Sequence, residues 1–409
     1  AVASGTLPSG KTVVVNADGT VSVAGETSVS EAVGTPVVYE AASNAYGPAV
    51  FDSNSNKVVI AYSDAGNSNY GTAIVGTVSG TSISFGAAVV FAASSANQLT
   101  ATFDSNLNKV VFAYRDSGNS SYGTAVVGTV SGTSISFGTA VVFETANTVY
   151  IGSSFDTTSN KVVLAYRDVG NSSYGTAIVG TVSGTSISFG TPVVYESATA
   201  NFNECAYDSS LDRTVIAYID DGNSSYGTAV VGTVNATVIA FGSPVVFKAA
   251  ATAYPRIAFD SSSNKIVLAY RANSQGKSIV GTTSVGPNSI SFGSEATFIA
   301  SNVEGVGLSF DSNANKVVVS YRNSGVDYDG FLNVGTVSGT SISFGGQVEF
   351  EDADVSDTSS VFDSNANKVV IAYTDIGNSS YGTAAVFQNT STSTNLTAEN
   401  YIGMSTGGT

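Results

Sequence analysis

Residues 51–64 read FDSNSNKVVIAYSD, and residues 71–86 read GTAIVGTVSGTSISFG. Close copies of this stretch recur along the chain, and each copy holds one aromatic residue followed by aspartate. These aromatic residues are Phe51, Phe103, Phe155, Tyr207, Phe259, Phe310 and Phe362, separated by 52, 52, 52, 52, 51 and 52 residues. A near-constant period of this length is typical of tandem repeats that each form one supersecondary unit.

Each copy contains four apolar stretches of strand length, separated by short polar turns. In the second copy, strand a ends at Phe103, strand b spans 109–115, strand c spans 124–130 and strand d spans 134–143. The turns between them are rich in Asp, Asn, Ser and Gly, whose side chains or flexibility favour tight turns. Four short strands per copy predict one propeller blade. We therefore expect an all-β fold, a seven-bladed β-propeller of four-stranded blades.

The two ends of the repeat array predict how such a propeller closes. The last copy has strands a, b and c but lacks strand d, and the missing strand stands near the N-terminus. Residues 34–40 (GTPVVYE) match residues 190–196 (GTPVVYE) letter for letter. We expect this N-terminal strand to complete the blade of Phe362, because a closed ring leaves no unpaired sheet face.

Two segments flank the predicted propeller, which spans residues 28–388. Residues 1–27 contain two apolar stretches around Asp18-Gly19, a pattern that predicts a β-hairpin and suggests an attachment segment. Residues 389–409 are rich in Ser, Thr and Asn and are interpreted as a linker or a truncated end.

Composition narrows the range of partners. The chain has 31 acidic and 15 basic residues, a net charge of −16, and no run of 18 apolar residues. Nucleic acids and anionic membranes reward clustered Lys and Arg, so we expect neither a nucleic-acid partner nor membrane insertion.

The chain also lacks the side chains of common catalytic centres. It has no histidine and one cysteine, Cys205, which excludes Ser-His-Asp and Cys-His catalysis and the commonest zinc ligand. Turns such as residues 52–56 (DSNSN) place Asp and Asn oxygens as a calcium loop does, but no closing glutamate follows. These turns are interpreted as hairpin turns held by the Asp side chain. We expect a non-enzymatic protein without a cofactor or metal site.

The repeats resemble arrays found in virion proteins of marine phages. Residues 7–23 (LPSGKTVVVNADGTVSV) and 394–404 (TNLTAENYIGM) also look like segments that flank such arrays. The resemblance covers nearly the whole chain and implies a tail fibre, an appendage or a capsid decoration protein. It carries no functional residues over to this chain.

The otherwise similar repeats differ at a few positions, and these positions hold the candidate binding residues. The positions five and three residues before each aromatic anchor vary in nearly every copy, in what we predict to be d–a loops. Two b–c loops, at residues 272–277 and 323–329, also depart from the pattern, and both kinds of loop should lie on one face. Aromatic residues mixed with charged and amide residues are typical of sugar- or protein-binding surfaces. The candidates are Tyr46, Gln98, Tyr150, Phe202, Glu204, Tyr254, Arg256, Lys277, Asp327, Tyr328 and Asp357.

Arginines near the ends of four b strands suggest a second interpretation. Arg115, Arg167, Arg271 and Arg322 recur at this position, which invites comparison with sialidases. A residue repeated in several blades is more typical of structural ion pairs or hydrogen bonds than of one asymmetric catalytic site.

These observations favour a non-enzymatic virion structural protein that binds other virion proteins or a host surface glycan or receptor. Two alternatives stay open. One is a propeller glycosidase or lyase acting on host polysaccharide, with Glu204, Asp357, Tyr150 or Tyr254 in its site. The other is a secreted bacterial adhesin or lectin. The expected location is accordingly the virion, or else the secreted or cell-surface fraction.

Overall fold

A computed structural model describes residues 2–45, 47–286, 288–394 and 401–404. In these ranges the chain consists of β-strands joined by short turns, with single 3-10 turns at Ala65–Asn67 and Asp221–Asn223. No helix there is long and apolar enough to cross a membrane. Backbone contacts divide the chain into two units, residues 1–32 with 388–409, and residues 33–387.

The strands before and within the first three repeats are given first. They are β1 (Val2–Ala3), β2 (Thr12–Val15), β3 (Thr20–Val23), β4 (Glu26–Val29), β5 (Ala32–Val33), β6 (Val37–Ala45), β7 (Ala49–Asp52), β8 (Lys57–Asp64), β9 (Tyr70–Ser79), β10 (Ser82–Phe85), β11 (Val89–Asp104), β12 (Lys109–Asp116), β13 (Tyr122–Ser131), β14 (Ser134–Phe137), β15 (Val141–Asp156), β16 (Lys161–Asp168), β17 (Tyr174–Ser183) and β18 (Ser186–Phe189). The remaining strands are β19 (Val193–Asp208), β20 (Arg213–Asp220), β21 (Tyr226–Asn235), β22 (Val238–Phe241), β23 (Val245–Asp260), β24 (Lys265–Ala272), β25 (Gln275–Val285), β26 (Asn288–Phe292), β27 (Ala296–Ile299), β28 (Val303–Asp311), β29 (Lys316–Asn323), β30 (Asp329–Ser338), β31 (Ser341–Asp363), β32 (Lys368–Asp375), β33 (Tyr381–Gln388), β34 (Ser391–Thr394) and β35 (Tyr401–Met404).

The larger unit repeats one antiparallel pairing pattern. In the second repeat, β12 pairs with β11 and with β13. β13 then pairs with β14 and with the start of β15, whose end pairs with β16 in the next repeat. Each sheet thus has the strand order of a β-propeller blade. The N-terminal strand β6 pairs with β33 of the last repeat, with Val38 opposite Thr383, as the sequence predicts.

One expectation about the strands is wrong. Strand d is not continuous from residue 134 to 143, because Gly138–Ala140 separates β14 from β15. No loop then separates strand d from strand a, because β11, β15, β19 and β23 each run through 16 residues and belong to two successive sheets. The alternating sequence did not reveal this continuity, because the first half of the segment pairs with strand c of one sheet and the second half with strand b of the next.

The core lies between successive sheets. In β8, Val59 shares a buried cluster with Phe112 of the second repeat, whereas Ile60 shares one with Val370 of the seventh. Neighbouring residues of a strand point to opposite faces, so strand b supplies apolar side chains to both neighbouring interfaces. Burial of both faces explains why strand b is an almost continuous apolar run.

A buried tyrosine marks the same place in every b strand. These side chains are fully buried: Tyr62, Tyr114, Tyr166, Tyr218, Tyr270, Tyr321 and Tyr373. Four of the hydroxyls donate a hydrogen bond to a glutamate carboxylate 22 residues earlier, on the preceding sheet. The bond satisfies a polar group that burial would otherwise leave without water, and it links neighbouring sheets.

The a–b turns are held by their aspartates. The Asp52 carboxylate accepts hydrogen bonds from the backbone N–H groups of Asn54 and Ser55, at 2.9 and 3.0 Å. Equivalent pairs form at Asp104, Asp156, Asp311 and Asp363. The carboxylates thus bind the backbone of hairpin turns, as these motifs predict.

The smaller unit is also a β-structure. β2 and β3 form the expected hairpin, and β1 pairs with β3 in parallel. The C-terminal segment, interpreted above as a linker, contributes two strands: β34 pairs with β4, and β35 pairs with β2. The linker prediction is therefore wrong for residues 391–394 and 401–404, because the partner strands that order them lie at the other end of the chain.

Candidate functional site

A β-bulge recurs where strand a begins. In each of the second to seventh repeats the register shifts by one step, for example between Asn97 and Thr100. The residue five positions before the anchor has a positive φ of 51–55° in all six, at Gln98, Tyr150, Phe202, Tyr254, Gly305 and Asp357. A left-handed backbone costs a non-glycine residue roughly 1 kcal/mol or more. A bulge changes the direction in which a residue points, and the six bulges direct their residues toward one place.

That place is a cavity of about 420 Å³ within the larger unit. Seven of the predicted site residues line it: Gln98, Tyr150, Phe202, Glu204, Tyr254, Arg256 and Asp357. They come from strands of five repeats, so differences among the repeats make an asymmetric lining on a nearly symmetric scaffold. The residues were predicted to lie in loops, and the structure instead places them on paired strands.

Three aromatic rings from successive repeats form a row in this lining. The ring centroids of Tyr150 and Phe202 are 4.5 Å apart, and those of Phe202 and Tyr254 are 5.6 Å apart. The guanidinium of Arg167 lies over Tyr150 at 5.2 Å, and that of Arg271 lies over Tyr254 at 5.0 Å. These contacts hold the two outer rings in place and leave the row partly exposed to the cavity.

A charged pair lies beside the aromatic row. Arg256 Nη1 is 2.8 Å from Glu204 Oε1, and the two side chains are 17% and 28% exposed. Burial raises the pKa of Glu204, and Arg256 opposes that rise. Desolvation by the cavity walls likewise raises the pKa of Asp357, with Arg256 and Arg322 acting in the opposite direction. The cavity therefore combines aromatic faces with hydrogen-bonding groups of both charges.

Amide side chains fix the backbone of the bulges. Gln98 Oε1 accepts a hydrogen bond from Tyr150 N at 2.8 Å. The buried Asn203 donates from Nδ2 to the Tyr150 carbonyl at 2.9 Å and accepts from the Tyr195 hydroxyl at 2.7 Å. Asn203 was not predicted as a site residue. An asparagine next to the bulge was the only signal in the sequence, because its hydrogen-bond partners stand in another repeat.

The four arginines at the ends of the b strands differ in their contacts. Arg322 binds Glu304 and Asp354, each at 2.8 Å, and Arg167 donates to Asn201, so these two fit the structural interpretation. Arg115 lines the cavity instead. Its buried Nε has no hydrogen-bond partner among the residues that the structure describes. Arg115 therefore joins the site: Val149 stands, relative to Arg115, where Asn201 stands relative to Arg167, and valine offers no side-chain acceptor.

Three further predicted residues, Lys277, Asp327 and Tyr328, are not in the cavity lining. Lys277 was expected in a loop but lies on β25, where its Nζ binds Thr297 Oγ1 at 2.7 Å. Asn273 and Ser274 make the turn alone, both with positive φ, so the strand starts earlier than predicted. Asp327 and Tyr328 do lie in a turn, and Arg322 covers the Tyr328 ring at 4.2 Å. Tyr46 lies outside the described residues.

No protein-family model matches the chain, and no curated protein matches its sequence. Solved structures do match its fold. One is the BP39L lectin from Burkholderia pseudomallei, 10% identical, with a TM-score of 0.63 over 87% of this chain and 98% of that one. Another is NanB solved with Optactamide, also 10% identical, with a TM-score of 0.50 over 87% of this chain and 70% of that one. Together with the antiparallel sheets, these likenesses identify an all-β fold of the β-propeller type.

Proposed function

We propose that this chain is a seven-bladed, non-enzymatic β-propeller that binds carbohydrate in the 420 Å³ cavity, as part of a virion appendage or decoration protein. The observation that carries the proposal is the row Tyr150–Phe202–Tyr254 beside the Glu204–Arg256 pair. Aromatic faces pack against the C–H faces of sugar rings, and charged side chains orient sugar hydroxyls.

The size and construction of the cavity support this proposal. Its volume lies within the range of roughly 300–1,000 Å³ that small-molecule sites usually have. The bulges that aim residues into it recur at equivalent backbone positions, whereas the residues themselves differ. A scaffold of near-identical repeats with one non-repeating lining presents a single, specific site. The fold's likeness to a lectin is consistent with this function.

The blade count rests on the repeat pattern and on the sheet pairing. The pairing of β6 with β33, and the cluster shared by Ile60 and Val370, join the first repeat to the seventh. The virion assignment rests on the sequence resemblance alone. We propose other virion proteins and a host surface glycan as partners. Mass spectrometry of purified particles and antibody labelling in electron micrographs test that location, and absence from the particle refutes it in favour of a secreted adhesin.

A glycan array followed by calorimetry tests the binding site. Tyr254→Ala should weaken binding of an identified glycan about tenfold, since a stacked ring contributes ~1.5 kcal/mol. Tyr122→Ala is the matched control, because Tyr122 starts β13 and does not line the cavity. An array without ligands, or equal losses in both variants, refutes the proposed site.

The same cavity supports one other function. Glu204 and Asp357 both lie in it, and burial raises the pKa of each, as a general acid requires. The pairing of Glu204 with Arg256 favours binding over catalysis. Release of reducing sugar from host polysaccharide, abolished by Glu204→Gln, would replace the lectin proposal with a glycosidase.

A further inference from the structure

One arginine of the cavity lining has no partner within the described part of the chain. The guanidinium groups of five arginines make hydrogen bonds or ion pairs: Arg167, Arg213, Arg256, Arg271 and Arg322. In the ranges that the structure describes, the guanidinium of Arg115 makes neither, and it lies over no aromatic ring. We propose that Arg115 binds a negatively charged group, a carboxylate or a sulfate, on a sugar in the cavity. The inference rests on the proposed carbohydrate site and names the class of its ligand, an acidic sugar.

The terminal nitrogens of Arg115 are open to the cavity. Its Nε is buried, whereas Nη1 and Nη2 are accessible, and the residue lines the cavity. The next residue, Asp116, points to the opposite face of the strand, as neighbouring residues of a strand do. The Asp116 carboxylate accepts hydrogen bonds from Ser94 Oγ at 2.6 Å and from Gly118 N at 3.0 Å. Arg115 therefore offers two NH₂ groups to a ligand.

The third repeat shows why the guanidinium of Arg115 is uncovered. Arg167 lies over the Tyr150 ring of its own repeat, at 5.2 Å. The second repeat has Gln98 at the position of Tyr150, so no ring of that position covers Arg115. Gln98 does not act as a partner instead, because its Oε1 accepts a hydrogen bond from Tyr150 N at 2.8 Å. The acceptor from the next repeat is also missing, because Val149 stands where an asparagine binds Arg167.

Arg115 stands beside one end of the aromatic row. It pairs with Asn97 of β11, and the next residue, Gln98, binds the backbone of Tyr150, the first ring of the row. Arg115 and Tyr150 line the same cavity. A sugar can therefore stack on the ring and meet the guanidinium with one of its substituents.

The other charges of the lining limit the ligand to one anionic group. The Glu204 carboxylate is paired with Arg256 at 2.8 Å, and Asp357 adds a second carboxylate to the lining. Both carboxylates repel an anion, so a ligand with little negative charge is favoured. A carboxylate or a sulfate ester carries about one charge, whereas a phosphate monoester carries roughly 1.5 to 2 at pH 7. Two oxygens of either group can accept hydrogen bonds from the two NH₂ groups of Arg115.

A glycan array with neutral, carboxylated, sulfated and phosphorylated oligosaccharides tests this proposal on the full chain. We expect the bound glycans to be carboxylated or sulfated, and the two sets decide between these groups. Calorimetry then compares a bound uronic-acid oligosaccharide with its carboxyl-reduced form, or a bound sulfated oligosaccharide with its desulfated form. Loss of the charged group should weaken binding at least about tenfold, because charge-assisted hydrogen bonds are lost.

Variants of Arg115 assign this preference to one side chain. Arg115→Met keeps an aliphatic side chain without the guanidinium, so it should weaken binding of the acidic glycan at least about tenfold and leave binding of the neutral form unchanged. Arg115→Lys keeps the charge without the planar fork and should retain part of the affinity. Lys109→Met is the matched control, because Lys109 begins the same strand and does not line the cavity. The urea midpoint of Arg115→Met should not fall, because no hydrogen bond is lost on folding.

The results separate this inference from the proposed function. Suppose that neutral or phosphorylated glycans bind, and that Tyr254→Ala weakens this binding while Arg115→Met does not. The carbohydrate site then stands, and the role of Arg115 is overturned. Equal losses for the acidic and the neutral form in Arg115→Met also overturn it, because the loss does not depend on the charge of the ligand. An array without ligands refutes both the site and this inference.

Discussion

The tyrosine–glutamate hydrogen bonds between sheets give a prediction with a control inside the same chain. Tyr218 is fully buried, and its hydroxyl donates to Glu196 Oε2 at 2.9 Å. Tyr114 holds the equivalent position, but the residue 22 places earlier is Ala92 rather than glutamate. In the described ranges, no hydrogen-bond partner is found for the Tyr114 hydroxyl. The two tyrosines therefore differ in one interaction.

Tyr218→Phe removes the donor and leaves the partly buried Glu196 carboxylate without it. A hydrogen bond to a charged group contributes about 1.5–3 kcal/mol, and the partial exposure of Glu196 reduces this to roughly 1–2 kcal/mol. Tyr114→Phe removes no such bond and should cost less than about 0.5 kcal/mol.

Urea unfolding at pH 7, followed by circular dichroism, measures both variants. The unfolding midpoint should fall in Tyr218→Phe while the slope stays constant, which identifies a change in stability rather than in compactness. A cycle with Glu196→Ala should return a coupling energy of about 1 kcal/mol between the two positions. If the two phenylalanine variants lose the same stability, the hydrogen bonds do not link the sheets as argued.

Two further predictions concern glycine and pH. Gly305→Ala should destabilise the protein by more than Gly339→Ala. Both glycines have positive φ, but an added Cβ at Gly305 would lie 2.8 Å from Asp357 N, whereas a Cβ at Gly339 would meet nothing within 4 Å. Equal losses of stability in urea unfolding would contradict this prediction. Stability should also rise as the pH falls from 7 to about 5, because raised carboxyl pKa values mean that the folded chain binds more protons than the unfolded chain in this window. Burial is the first cause of the raised pKa in each of these carboxyls: Glu144, Glu196, Glu204, Asp220, Asp329, Glu349, Glu351, Asp357 and Asp375. A urea midpoint that falls over this range would refute the proton balance.

The site shows what a repeat comparison can find without a structure. Positions that differ among the copies identified Tyr150, Phe202, Tyr254 and the Glu204–Arg256 pair, and the structure brings all of them to one cavity. The repeat comparison predicted loops at these positions because no residue type is characteristic of the bulge. Gln, Tyr, Phe, Gly and Asp all occupy it. Lys277 was predicted to lie in a loop because the polar run is longer than the two-residue turn that the structure contains.

Local chemistry determined much of this protein. The period of the aromatic anchors, the Asp-centred turns and the apolar b strands all depend on residues near one another in the chain, so the sequence alone predicts the repeated sheet and the pairing of residues 34–40 with the last repeat. The tertiary structure decided which side chains meet. Gln98 binds Tyr150 and Glu204 binds Arg256 across 52 residues each, because equivalent positions on neighbouring a strands lie side by side. Asp329 lies near Glu349 and Asp352 only because β30 pairs with β31, through two register shifts at this end of the strands. Both the cavity and the acidic cluster arise from that proximity, which folding alone provides.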